Sequence, residues 1–321
     1  MRQAVITIYK STGIGEYAPD GDDIVFRQPD HDYGIAFTFH FERDRGVFNN
    51  DCELVLYNVG SDIVSLFSFD PSTYERRPKI EIRAGETDVT LADSTTTVEI
   101  LKSSLPLIYS GHVYKFLYNR ETVENALSVS MTDMDFSVSV KRAGSAAFNA
   151  GSLVLDALKK LISDMQGALG DFSFLEASGF ESITFPRDVM FSGQFVMSDI
   201  LPKLSRQFNF SFHVNETGTI VFTPNVAGAK TTPYTVSSDN GLIGYPQEIN
   251  WNQYQVQTFF GRPDIFFPMD WMQIESTSLD GGTVYALVLS AQYEWNDTEA
   301  VITYKIAPDG EVVETTPVLR F

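Results

Sequence analysis

The sequence predicts a mainly β protein with a small α/β insert. Two β-barrel, tube-like domains, residues 1–142 and 232–321, are expected to flank a small α/β domain, residues 143–231. Three observations predict this. Apolar and polar residues alternate in short runs at both ends of the chain. The period lengthens to that of a helix just after Ala143-Gly144-Ser145. β patterning then resumes beyond the connector-like run Ala227-Gly228-Ala229-Lys230-Thr231-Thr232-Pro233.

In the first domain, Phe37, Phe39 and Phe41 alternate with Thr38, His40 and Glu42. Ile80 and Ile82 alternate with Lys79, Glu81 and Arg83, and Phe136, Val138 and Val140 with Ser137, Ser139 and Lys141. Period two sends the apolar set to one face of a strand and the polar set to the other. Gly, Pro, Asn and Asp clusters break the runs, which suggests a barrel or a sandwich. Asp20-Gly21-Asp22-Asp23 and residues 45–51 read as solvated loops.

In the middle domain, Ser152 can cap a helix that carries Asp156 early. Leu153, Val154, Ala157, Leu158, Leu161, Ile162 and Met165 recur at helical spacing, and Gly167 is a natural stop. A second helix is expected over Ser198 to Phe208, with Ile200, Leu201, Leu204 and Phe208 on one face. Pro202 fits such a helix only near its first turn. Phe210 to Val214 and Thr219 to Phe222 flank Asn215-Glu216-Thr217-Gly218, a hairpin signal.

In the last domain, Val284, Ala286 and Val288 alternate with Tyr285, Leu287 and Leu289. Both sets are apolar, so that strand is expected to be covered on both faces. Val301 to Ile306 is expected to pair with the following run through the turn Pro308-Asp309-Gly310. No internal repeat is visible in the sequence, which leaves open whether the two β regions are structural duplicates.

Composition narrows the function classes. The chain has 321 residues, 43% hydrophobic, enough for two or three domains with a sizeable core. Forty-two acids against 23 bases give a net charge of −19, which repels nucleic acid instead of seeking it. The last third is the most one-sided: Arg262, Lys305 and Arg320 stand against twelve acids, a net −9. This either serves solubility or lines an acidic channel; screening limits its reach to about 8 Å in physiological salt. The single cysteine, Cys52, sits in a strand pattern and reads as a small apolar residue. No apolar run approaches the ~20 residues of a membrane helix, and the N-terminus is too short and strand-like for a signal peptide. No membrane insertion is expected, and assembly in a cytoplasm is.

Few residues invite chemistry. His40, Glu42 and Asp44 share one strand face and could bind a metal; a solvated or interface-facing strand side explains them equally well. His31-Asp32 and His112 have no spaced partners, and four histidines assemble no triad signature. Asp20, Asp22 and Asp23 lack the rest of a calcium loop. Gly13-Ile14-Gly15 is not followed by the third glycine and helix of a dinucleotide loop. Ser103-Ser104 and Ser237-Ser238-Asp239 lack the nucleophile-elbow context. No catalytic, cofactor-binding or metal residue is assigned. The aromatic content is the anomaly: 25 Phe, 14 Tyr and 3 Trp, clustered at Phe172 and Phe174, at Phe208, Phe210 and Phe212, and at Phe259-Phe260 and Phe266-Phe267. Either they fill a bulky β core or some are buried in subunit contacts.

An order of short motifs carries a resemblance. Asn50-Asp51-Cys52-Glu53-Leu54-Val55-Leu56-Tyr57-Asn58-Val59 is followed by Pro78-Lys79-Ile80-Glu81-Ile82-Arg83-Ala84-Gly85. Leu107-Ile108-Tyr109-Ser110-Gly111-His112-Val113 and Leu127-Ser128-Val129-Ser130-Met131-Thr132-Asp133 come next. Ala150-Gly151-Ser152-Leu153, Phe191-Ser192-Gly193 and Ile220-Val221-Phe222-Thr223-Pro224 continue the series, as do Gly241-Leu242-Ile243-Gly244-Tyr245-Pro246 and Phe266 to Ser276. In this order the chain resembles phage baseplate (tail) hub proteins, related to the hub part of type VI secretion spikes. Met269-Asp270 stands where that family more often has a Gly, and Asn296-Asp297-Thr298-Glu299 departs from its frequent Gly-Asp turn.

The resemblance implies a structural virion protein, not an enzyme and without cofactors. It implies a homotrimer in which two barrels per subunit imitate a six-membered ring. That ring would join a hexameric tail tube protein to a trimeric spike or tip protein, contact the C-terminus of a tape-measure protein, and let DNA pass through its lumen without specific binding. The alternatives are a tail-associated glycan- or receptor-binding module and a cell-wall hydrolase.

Overall fold

The structure, a computed structural model, describes residues 2–9, 11–13, 16–17, 24–28, 36–46, 50–67, 77–86, 100, 102–120, 125–133, 146–166, 174–176, 182–191, 197–216, 220–224, 234–260, 265–279, 282–296 and 299–308. The chain opens with β1 (Arg2–Tyr9), β2 (Ser11–Gly13), β3 (Glu16–Tyr17), β4 (Ile24–Gln28), β5 (Phe37–Asp44) and β6 (Asp51–Tyr57). Helix α1 (Ser61–Leu66) leads to β7 (Lys79–Glu86), β8 (Leu107–Asn119) and β9 (Ala126–Thr132). The middle holds β10 (Ala146–Phe148), α2 (Val154–Gln166), β11 (Phe174–Glu176), β12 (Val189–Phe191), α3 (Met197–Phe208), β13 (Phe210–Val214) and β14 (Ile220–Pro224). The last part is all strand: β15 (Tyr234–Val236), β16 (Leu242–Asn250), β17 (Gln253–Phe259), β18 (Trp271–Glu275), β19 (Thr283–Trp295) and β20 (Ala300–Pro308). The mainly β class with an α/β insert is therefore borne out.

One sheet of 13 strands runs through both ends of the chain, in the order β16-β17-β20-β19-β5-β6-β9-β8-β7-β1-β4, with β18 and β15 attached beside β19. The path is open: among the described residues no pairing joins its two ends.

The strand order exposes a repeat that the sequence conceals. β5-β6-β9-β8 and β16-β17-β20-β19 follow the same order, all antiparallel, and each ends on a 13-residue strand that turns to a further partner, β7 or β18. Even the irregularity is shared. The β8·β9 register slips between Val113 and Lys115, and the β19·β20 register between Val288 and Ser290. One offset of 175 residues carries Val113 onto Val288 and its partner Met131 onto Ile306. The copies diverge beyond this, since β1 meets β7 antiparallel whereas β15 meets β18 parallel.

The two copies fuse through one seam, β5 against β19, from Ser290↔Asp44 to Trp295↔Phe39. One face of the fused sheet packs a continuous core that includes Phe37, Phe39, Phe41, Leu54, Leu56, Val129 and Met131 with Val256, Tyr293, Ile302 and Tyr304. The middle region has its own core. Val154, Leu158 and Leu161 of α2 and Leu201 and Leu204 of α3 pack with Phe210, Phe212 and Phe222 of the β13·β14 hairpin. A short loop ties the three regions: Arg45 N–H donates to Leu289 O (3.2 Å) and Gly46 N–H to Phe212 O (2.6 Å). Gly46 sits at φ +74°, where a side chain would be strained.

Two expectations are corrected. Pro202 lies inside α3, past its first turn, so the helix runs through a residue without an N–H to give to the turn before it. Val301 to Ile306 pairs not with the run that follows it but with β17 and β19, which occupy both edges of β20. The two-faced strand is as expected from Ala286 onward, with Ala286 to Ala291 all buried, but not at its start, where Tyr285 is exposed. Phe136, Val138 and Val140, the Asp20-Gly21-Asp22-Asp23 loop, Ile14-Gly15, His31-Asp32, Gly167, Phe172 and residues 225–233 and 309–321 lie outside the described residues.

Candidate functional site

The sheet has a second face, and strand pleating dictates what lies on it. Residues directly opposite one another share a face, so the pairings read out its rows. Lys115, Ser130, Glu53, His40, Glu294, Val301 and Phe259 form one row across seven strands. Glu42, Gln292, Thr303 and Gln257 form the next, and Asp44, Ser290, Lys305 and Gln255 the one after. This face is polar and carries more acid than base: across β5 to β8, β19 and β20 it holds Glu42, Asp44, Asp51, Glu53, Glu81 and Glu294 against Lys79, Arg83, Lys115 and Lys305.

Its side chains bond to each other both across strands and along them. His40 Nδ1 lies 3.4 Å from Glu294 Oε1 over the seam. Gln292 Nε2 donates to the same Glu294 oxygen (2.9 Å), and Gln257 Nε2 to Thr303 Oγ1 (3.3 Å). Burial raises the Asp44 carboxyl above its ordinary value, opposed by Lys305, Ser290 and Arg45. Burial and then neighbouring Glu53 raise Asp51. A broad, half-solvated surface of amides, hydroxyls and carboxylates results. It offers a polar wall more than a pocket.

The opposite side of the seam fixes that wall in place. Phe41 stacks on Tyr293 with centroids 4.2 Å apart, Phe39 stacks on Trp295 at 6.0 Å, and the Phe260 edge meets Trp295 at 5.6 Å. Arg43 continues the inward parity of Phe39 and Phe41 and is fully buried. Its guanidinium carbon lies 5.2 Å from the Phe267 centroid, 5.4 Å from Phe41 and 5.9 Å from Tyr109 and Tyr293. Burial pushes the Tyr293 hydroxyl up to about 12, against the pull of the nearby Arg43 charge.

Other buried ionisable groups gather around it. Asp133 accepts Asn50 N–H (2.9 Å) and Asn50 Nδ2–H (2.6 Å), and burial pushes its carboxyl up to about 7 against the pull of Arg43. Burial, helped by Arg43, lowers His213 to about 3, so that ring is neutral. Asp270 accepts Phe267 N–H (2.7 Å) and is raised to about 6, mainly by burial.

His40, Glu42 and Asp44 do share one strand, with His40 and Glu42 exposed. His40 faces Glu294, and among the described residues no three His, Cys, Asp or Glu side chains converge as metal ligands. Cys52 is buried in β6 and its thiol is pushed well above the usual range by burial, so it is an inert core residue. Phe210, Phe212, Phe260 and Phe266 are core, whereas Phe259 is 37% exposed on the polar face. Ser237, Ser238 and Asp239 line an open groove with Tyr245 and Glu275. Sequence reasoning missed Arg43, whose position two residues after Phe41 was the available signal.

No family model matches the chain, and no curated protein matches it in sequence. Solved structures do match in shape. The 43 kDa tail protein of prophage MuSo2 from Shewanella oneidensis is 8% identical, with 95% of this chain and 98% of that one covered at a TM-score of 0.61. A tail protein from Neisseria meningitidis is 8% identical, with 95% and 96% covered and a TM-score of 0.62. The fold is that of these phage tail proteins. It is shared with an E. coli component of the type VI secretion system, 11% identical, with 85% and 73% covered and a TM-score of 0.57. That protein's structure is described as similar to T4 bacteriophage tail proteins gp27 and gp5.

Proposed function

We propose that the chain is a structural protein of a phage tail, the hub of its baseplate. Three copies form a ring that receives a hexameric tail tube protein on one side and a trimeric spike or tip protein on the other. The C-terminus of a tape-measure protein meets the same ring. It is assembled in the host cytoplasm, works in the virion and catalyses nothing. The three sequence regions 1–142, 143–231 and 232–321 are its two ring-forming β domains and the α/β domain between them. The observation that carries this reading is the repeated strand order fused through one seam. A subunit with two similar β units lets three copies present six similar edges, and closure removes sticky strand edges. The tail-protein fold over 95% of the chain supports it.

In this reading the polar face lines the lumen. Its excess of carboxylates repels a phosphate backbone and so suits passage without binding. Electron microscopy of assembled tails tests the reading. Three copies between tube and spike, with Glu42, Glu53 and Glu294 facing the channel, are expected. A peripheral position, or a basic channel wall, would refute it.

One observation favours a second reading, a glycan-binding tail module. Tyr245 is 67% exposed and lines the polar groove with Ser237, Ser238, Asp239 and Glu275. Titration of the full chain with cell-wall and surface glycans separates the two, since the hub reading expects no saturable binding.

A further inference from the structure

The two copies of the repeat differ where a groove opens. In the first copy, β5 meets β6 in unbroken register from Phe37 to Phe41. In the second, β16 takes the matching place beside β17, and its register breaks. Ile243 faces Gln257 and Gln247 faces Gln255, so Gly244, Tyr245 and Pro246 stand opposite the single residue Val256. Gly244 sits at φ +67°, in the left-handed region, and Pro246 has no N–H to give to a neighbour. Such a bulge re-aims a side chain out of the regular pleat. Here it leaves the Tyr245 ring 67% exposed over the groove.

The other walls are the 3-10 turn Ser238–Asn240, closed by Gly241 at φ +96°, and the end of β18 with the loop after it. They bring Asp239, Glu275 and the hydroxyls of Ser237, Ser238 and Ser276 to an open space of about 380 Å³, room for a long side chain. No Lys, Arg or His lines it. Gln273 Nε2 donates to Glu275 Oε1 (3.1 Å), and among the described residues neither carboxylate has an ion-pair partner. Tyr285, 40% exposed and directly opposite Gln273, continues the surface along β18 and β19.

We infer that this groove docks a basic, extended segment of a partner protein, with one Lys or Arg side chain against the Tyr245 ring and Asp239 and Glu275 as its counter-charges. An aromatic face attracts a cation, more strongly as water is displaced. Carboxylates with no base beside them complement the same cation. The net −9 of the last third draws a basic segment toward this end of the chain before contact. A neutral sugar would also stack on the ring, but it would bring no charge to either carboxylate; a cation answers the whole lining. The groove is formed within one chain, so the inference is independent of the ring reading.

Calorimetric titration of the full chain with the end-blocked peptide Gly-Arg-Gly-Arg-Gly tests this. Saturable binding of one peptide per chain, weakening as salt rises, is expected. Tyr245→Ala is expected to weaken it about tenfold or more, as is the pair Asp239→Asn with Glu275→Gln, whereas Tyr245→Phe stays within about twofold. The pair Asp62→Asn with Asp156→Asn removes two carboxylates from helices elsewhere and is expected to leave binding within about twofold. Every substituted residue is exposed, so the fold is not at stake. Equal weakening by the two charge-removing pairs would show general attraction to an acidic protein and overturn the inference. Binding that survives Tyr245→Ala, or no saturable binding, would overturn it too. Saturable binding of a neutral cell-wall oligosaccharide that Tyr245→Ala abolishes, with none of the peptide, would assign the groove to the glycan reading instead.

Discussion

Arg43 is fully buried among the rings of Phe41, Tyr109, Phe267 and Tyr293, and its charge bears on the buried ionisable groups around it. Asp133, Cys52 and Tyr109 are all held lower in pKa by it than burial alone would leave them. Replacing Arg43 with Ala opens a cavity under the seam and removes that support. A loss of about 3 kcal/mol in urea unfolding is expected, and less than about 1 kcal/mol would contradict the account. Asp133 makes the pH response specific. Its folded pKa of about 7 lies above the ordinary 3.8, so the native state holds the proton more tightly. Stability from this group is full below about pH 4 and lost as pH rises through about 7. Asp270, at about 6, acts in the same direction. His213, lowered to about 3, acts oppositely and costs stability as pH falls below 6.5. Between pH 4 and 7, Asp133→Asn is expected to remove a slope of up to about 1.4 kcal/mol per pH unit. Denaturant titrations at a series of pH values measure it; parallel curves for the two chains would refute the assignment. Of these residues the sequence foretold only Cys52. Arg43, Asp133, His213 and Asp270 look like surface charges until tertiary packing covers them.

The elements were better foretold than their pairing. Period-two runs located β5, β7 and β19, and the 3.6 period located α2 and α3, because both patterns are local. Pairing between strands far apart in the chain leaves no local mark, and the duplicated copies share shape without visible sequence identity. The span of α3 was foretold, yet Pro202 sits deeper in it than the local rule allows, because Leu201 and Leu204 pack with the β13·β14 hairpin in one core and hold the helix across it. One glycine does carry local information. A Cβ on Gly111 would lie 2.6 Å from both Thr132 O and a Tyr109 ring carbon, between β8 and β9. The Ser110-Gly111 pair thus permits the close approach at which β8 passes from β7 to β9. Gly111→Ala is expected to destabilise by about 2 kcal/mol, read as a lower midpoint in thermal or urea unfolding. An unchanged midpoint would show that β8 can shift freely there.

At the scale of the whole molecule, fold class and tail-protein shape were legible from the order of short motifs, but the polar wall was not. It exists only when β5, β6, β9, β8, β17, β20 and β19 lie side by side, which no single strand announces. The conduit reading makes a charge prediction. Glu42→Lys, Glu53→Lys and Glu294→Lys together should leave assembly intact and slow DNA release by about tenfold or more at low salt, with the effect fading at high salt. Equal release at all salt concentrations would remove the lumen from the account. The central claim is that one chain with two matched β units builds a closed ring from three copies. Native mass measurement of the full chain tests it most directly. A dominant species at three times 35.9 kDa is predicted, and a monomer that persists at high concentration, or an even-numbered assembly, would contradict it.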